Sequence, residues 1–166
     1  MIKNWSNTLI VAYSHLPKIV KSIDFRVQNC VNSGFKSVHL LHGVTNEQLY
    51  GEMLKLIDEK KKMINLYHIV NAGLDEISDS HRLLIELRCM KGKTFNEISS
   101  THAIPLRTLF RRFDDALLRF KKAITKLGFD EEYLEKDYLP YSYMRKFYNS
   151  LETENYFPSC QAEYIE

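Results

Sequence analysis

Residues 94–126 read TFNEISSTHAIPLRTLFRRFDDALLRFKKAITK, and this stretch contains two helices separated by a tight turn. Thr94-Phe95-Asn96-Glu97 is a capping box: the threonine hydroxyl accepts from the Glu97 amide while the glutamate reaches back to the Thr94 amide. It predicts a short helix to about Thr101. Ile104-Pro105 then opens a long one, because proline at a helix start lacks only an N–H that has no helical partner anyway. That helix ends near Lys126, with Gly128 as its C-terminal signal. Upstream, Ser78 or Asp79 caps a helix from Ser80 to about Met90, with Leu83, Leu84, Leu87 and Met90 on one face and Lys91-Gly92-Lys93 at its end. The three helices pack if Leu84, Leu87, Phe95, Ile98 and Ile104 meet Leu109, Phe113, Leu117 and Phe120. The predicted class is therefore all-α: a tri-helical helix-turn-helix domain with additional N-terminal helices.

The open face of the long helix carries Arg107, Thr108, Arg111 and Arg112 near its start. A helix held behind a tight turn can enter the major groove of duplex DNA, where guanidinium groups pair with guanine edges or phosphates, and its first peptide N–H groups favour a phosphate. The expected DNA contacts are Thr94, Pro105, Arg107, Thr108, Arg111, Arg112 and Arg119. Charge supports this. The formal net charge is only +2, but Pro105 to Lys126 holds Arg107, Arg111, Arg112, Arg119, Lys121, Lys122 and Lys126 against Asp114 and Asp115 alone. Local cation density governs binding to a polyanion. Asp114 and Asp115 read as ion-pair partners for neighbouring arginines. From Leu127 onward acidic residues predominate, and the end of the chain beyond Leu151 reads either as a weak competitor with DNA for the basic helix or as a solvated tail that only aids solubility.

The division that follows is 1–73, an N-terminal helical region for self-association or partner contact; 74–128, the helix-turn-helix domain; 129–151, short C-terminal helices; and 152–166, an acidic tail. The first region reads as helical from Asn7 to about Val31, with a break at Pro17 and an end at Asn32-Ser33-Gly34. Phe35 to Val44 fits either a loop or a short strand. Thr45 and Gln48 form another capping box, opening a helix to about Asn71. Leu49, Leu56, Met63 and Val70 recur on it every seven residues, with Met53, Ile57, Ile64 and Tyr67 beside them. Such a wide apolar stripe packs on a core or a partner. It predicts a homodimer, whose two recognition helices should sit about 34 Å apart on a near-palindromic site. Asp130 caps a short helix through Tyr138, and Ser142 to Leu151 reads as another.

Residues Leu74 to Phe120 resemble the fourth conserved region of bacterial sigma factors, the domain that reads the upstream promoter element. The matching residues are Arg82-Leu83-Leu84, Lys91-Gly92-Lys93, Glu97-Ile98-Ser99, Ala103-Ile104-Pro105, Arg107-Thr108-Leu109 and Ala116-Leu117. Three positions depart from the pattern. Ser99 stands where alanine is usual, Ala103 replaces the turn glycine, and Pro105 replaces the capping serine. The region that binds core polymerase is not recognisable before Val70. The resemblance therefore implies a stand-alone bacterial or phage-related transcription regulator, with double-stranded DNA as its partner and RNA polymerase as a second. The rival reading is an adaptor that binds polymerase or another factor without touching DNA.

Other chemistry finds little support. Cys30, Cys89 and Cys160 are odd in number and widely spaced, which suits reduced thiols in a cytoplasmic protein. His39 and His42 form a close pair but lack further ligands beyond Cys30, so no metal is expected. No phosphate-cradling glycine loop, nucleophile elbow or paired carboxylates appear, so neither enzymatic activity nor a cofactor is expected. Lys60-Lys61-Lys62 reads as a solvated face, and the C-terminal tyrosines as packing groups. No apolar run approaches the ~20 residues of a membrane span.

Overall fold

A computed structural model describes residues 5–37 and 45–153, and among these every regular element is helical. In chain order they are α1 (Trp5–Tyr13), α2 (Leu16–Ser37), α3 (Asn46–Asp75), α4 (Asp79–Ile85) continuing into a π turn (Glu86–Met90), α5 (Phe95–His102), α6 (Leu106–Lys126), α7 (Glu131–Tyr138) and α8 (Ser142–Thr153). No described helix is long and apolar enough to cross a membrane. His39, His42, Cys160 and most of two expected segments, Phe35 to Val44 and 152–166, lie outside the described residues; their described parts, Phe35 to Ser37 and Glu152 to Thr153, are helical ends of α2 and α8 instead of loop, strand or tail.

The chain divides into two compact units. One comprises residues before His15 together with those from His68 onward; the other comprises His15–Tyr67. This differs from a division at residue 73, and the reason is α1. Every residue from Trp5 to Ala12 is buried, against α6, α7, α8 and the π turn. Leu9, Ile10 and Ala12 have no solvent exposure at all. The indole of Trp5 stacks on Tyr148 with ring centroids 4.7 Å apart, and the Tyr13 hydroxyl donates to Asn71 Oδ1 at 2.8 Å. A helix buried on every side belongs at the centre of a core, so α1 is the axis of the larger unit rather than part of an outlying layer.

That unit also takes in the end of α3. Gly73 sits against α6 so closely that a Cβ there would lie 2.9 Å from Phe120 Cε2. Phe120 is therefore used on the α3 side of α6, and the tri-helical cluster forms without it. That cluster joins Leu84, Phe95, Ile98, Leu109, Phe110 and Phe113, with Leu87, Ile104 and Leu117 at its margin. Phe110, at the edge of the α6 stripe, is an addition to the expected set; it meets the Phe95 ring edge-on at 4.7 Å.

Within the smaller unit, the Thr45–Gln48 capping box forms as expected, with reciprocal hydrogen bonds of 3.1 and 3.2 Å. Two points differ from expectation. The chain breaks at Ser14-His15, so that Pro17 falls in the first turn of α2, where its missing N–H costs nothing. And α2 runs through Gly34 to Ser37: a helical glycine costs only about 1 kcal/mol, which is not enough to stop a helix of this length.

Candidate nucleic-acid interface

The candidate site is built on α4, α5 and α6. Thr94 starts α5 with a complete capping box: its Oγ1 accepts from the Glu97 amide at 3.2 Å, and its own amide donates to Glu97 Oε2 at 2.7 Å. These bonds to Thr94 hold the Glu97 carboxyl below its ordinary pKa. Before it, the Lys91-Gly92-Lys93 turn is closed by Gly92 at φ 65°. Arg88 spans that turn, donating to the Lys93 carbonyl at 3.1 Å and lying 4.7 Å over the Phe95 ring.

The α5–α6 turn depends on Ala103, which takes the left-handed conformation at φ 52°, ψ 38°. The Ser99 hydroxyl donates to the Ile104 carbonyl across this turn at 2.7 Å. A serine at this position thus fastens the turn, a role that an alanine could not fill. Left-handed backbone costs an L-residue with a Cβ about 1–2 kcal/mol. Glycine removes that cost but adds freedom to the unfolded chain. Ala103→Gly is therefore expected to stabilise the protein by about 0.5–1 kcal/mol, measured as a higher urea midpoint at unchanged slope; a lower midpoint would contradict the strained turn.

Pro105 is the residue before the first turn of α6 and, as expected, supplies no side-chain cap. At the far end, Gly128 at φ 88° closes α6: its amide donates to Thr125 and the Phe129 amide to Ile124, a Schellman arrangement. The buried stripe of α6 is Leu109, Phe110, Phe113, Ala116, Phe120, Ala123 and Ile124. Arg107, Arg111 and Arg112 are exposed on the opposite side, and Thr108 is half-buried.

The basic residues of α6 fall into two groups. Toward its end, Lys121 pairs with Glu131 at 2.8 Å, Lys126 with Glu76 at 3.1 Å and Arg119 with Asp115 at 2.7 Å. Asp115 also faces His81 Nε2 at 3.1 Å; its hydrogen bond from Arg119, and secondarily His81, keeps its carboxyl below the ordinary range. Arg107, Arg111, Arg112 and Lys122, by contrast, enter no ion pair among the described residues. Of the expected contacts, the structure thus gathers Pro105, Arg107, Thr108, Arg111 and Arg112 on the first two turns of α6, places Thr94 at the head of α5, and engages Arg119 elsewhere. Lys122 is not among the expected contacts, although the spacing 107, 111, 118, 122 puts it on the face of Arg107 and Arg111. Leu118 shares that face and is 51% exposed.

Beside the basic face lies an open apolar groove of 380 Å³. It runs between α4 and the α5–α6 turn over Leu83, Leu87, Ile98 and Ile104, with His81, His102 and Arg112 at its edge. Among the described residues no three His, Cys, Asp or Glu side chains gather as a metal would require. Compared with known protein families, curated proteins and solved structures, the chain matches none.

Proposed function

We propose that α5, its turn and α6 act as a helix-turn-helix that binds duplex DNA, with the first two turns of α6 in the major groove. One observation carries the reading. The unpaired guanidinium groups cluster at the start of α6, next to the turn, while Arg119, Lys121 and Lys126 farther along are engaged by carboxylates and, among the described residues, only Lys122 stays unpaired there, on the same face as Arg107 and Arg111. Neutralised cations release no counterions on meeting a phosphate backbone, whereas free ones do. The resemblance of residues 74–120 to sigma region four supports the same reading, and it makes a stand-alone transcription regulator the role proposed here.

Selection of bound sequences from random duplex DNA tests it, with enrichment of a defined site expected. Replacing Arg111 and Arg112 together by alanine should then weaken binding to that site by on the order of 1–3 kcal/mol for each arginine that reads a base edge. Because both are exposed, thermal stability should change by no more than ~0.5 kcal/mol. A folded double variant with wild-type affinity would remove these residues from the interface.

The apolar groove favours a second reading, an adaptor that binds RNA polymerase or another factor. Half-exposed Leu83 and Leu118 suit protein contact better than phosphate contact. Absence of any enriched sequence at low salt selects this alternative.

A further inference from the structure

The smaller unit is a pair of helices, α2 and the part of α3 up to Tyr67. Two helices alone can cover one face of each and no more. The covered face of α3 carries Leu56, Met63 and Leu66, buried together with Leu16, Ile19 and Ile23 of α2. A second apolar seam runs beside it: Tyr50, Leu54, Ile57 and Ile64, which are 64%, 52%, 37% and 39% exposed. With Lys61 included, the spacing is 4, 3, 4, 3, the repeat of a helix that packs lengthwise on another helix. Isolated exposed apolar residues mean little, but a contiguous line of them marks an interaction surface.

The two ends of this seam differ in shape. At the Tyr50 end a large ring projects into solvent. At the Ile64 end lies a groove of 380 Å³, almost wholly apolar, formed by Leu16, Pro17, Val20, Lys21, Ile64 and Tyr67. Tyr50 and Ile64 are two heptads apart, with Ile57 midway. Antiparallel pairing of two identical seams about Ile57 therefore brings the Tyr50 of each copy to the groove of the other. Charge agrees. Glu47 and Glu52 outnumber Lys55 in the first half of the helix, and Lys60, Lys61 and Lys62 outnumber Asp58 and Glu59 in the second, Lys60 and Glu59 being paired within the chain with Asp24 and Arg26. Antiparallel copies set opposite charges side by side, whereas parallel copies set like against like.

We infer that a second copy of this chain covers the exposed α3 seam in an antiparallel, two-fold symmetric dimer, with Tyr50 of each copy seated in the Leu16–Ile64 groove of the other. Such an interface is isologous, the self-complementary kind that closes on itself and does not propagate. The inference does not rest on DNA binding, and neither does its test. Sedimentation velocity of the full chain between micromolar and ~100 μM should show a dimer. Tyr50→Ala should weaken association by about tenfold or more, since a buried aromatic anchor dominates such contacts. Ile57→Asp should give a monomer that retains its helical circular dichroism. Zero-length carbodiimide coupling should link Glu52 of one copy to Lys61 or Lys62 of the other; within one chain these lie about 14–15 Å apart along the helix, too far to react. A monomer throughout the concentration range would overturn the inference. So would a dimer that Tyr50→Ala leaves unchanged, or one that forms no Glu52–Lys61 or Glu52–Lys62 cross-link.

Discussion

A chain carrying alanine at both Leu9 and Ile10 is expected to lose the larger helical unit altogether. Neither residue has any solvent exposure. They belong to a helix whose neighbours are α6, α7, α8 and the π turn, so no single partner can move in to fill the space. Truncating a fully buried leucine or isoleucine costs about 2–5 kcal/mol, the larger values where the surroundings cannot collapse. Two such truncations approach the entire stability of a typical domain, about 5–15 kcal/mol. The single tryptophan, buried at Trp5 and stacked on Tyr148, offers the readout: its native fluorescence should vanish, together with cooperative urea unfolding of the unit. Leu118→Ala, on the open face of α6, should change stability by no more than ~0.5 kcal/mol. If the double variant still unfolds cooperatively with a decrease below about 2 kcal/mol, α1 is not the structural axis described above.

The second large effect is chemical. Burial beside the α4–α5–α6 cluster pushes the Cys89 thiol up to about 12, against a smaller downward pull from Arg88. Only the thiolate reacts with alkylating agents. A rise from 9.0 to about 12 leaves far less thiolate at pH 8, an effect partly offset by the greater nucleophilicity of a higher-pKa thiolate. Iodoacetamide should accordingly modify the half-buried Cys89 more than about tenfold more slowly in the folded protein than in urea, followed by peptide mass spectrometry. Folded and unfolded rates within tenfold would show the sulfur to be accessible. The sign of the pH effect also follows. The unfolded thiol loses its proton first, so as pH climbs from 9 toward 12 the unfolded state binds fewer protons and stability falls.

Much of this architecture can be read from local chemistry. Thr45, Thr94 and Asp130 each announce a helix start by a side chain that accepts an amide hydrogen from within the first turn, and all three do so in the structure. Such caps act over three residues and need no knowledge of the fold. The tri-helical cluster is legible for a similar reason: its apolar residues recur with helical period on helices close in sequence. What escapes is set by distance along the chain. In α1, Ser6, Asn7 and Thr8 look like the wet side of an amphipathic helix, yet all are buried. Their side chains are short enough for other helices to pack over, and the elements packed on α1 lie more than seventy residues away. Phe120 packs outside the cluster expected of it because Gly73, far upstream, draws α3 against it. At the site, the arginines are visible in the sequence, and so is the engagement of Arg119 by Asp115, four residues away on the same helix. The engagement of Lys121 and Lys126 is not, because it depends on Glu131 and Glu76 reaching them in space.

The position of α1 also fixes an order of events during synthesis. Trp5, Leu9 and Ile10 leave the ribosome long before their partners on α6, α7 and α8. At roughly 5–20 residues per second, α1 waits several seconds or longer with an apolar surface and nothing to bury it. The α2–α3 pair, whose partners lie nearer in sequence (Asp24 and Lys60, for example), can form in that interval. The larger unit can only close afterwards, when α6, α7 and α8 arrive and fold around a segment made much earlier. Folding of this kind pays its loop-closure entropy before long-range contacts can compensate for it. Newborn chains therefore pass through a stage in which the most apolar part of the protein is exposed, and it is at this stage, rather than in the finished fold, that they are most open to aggregation and to chaperones.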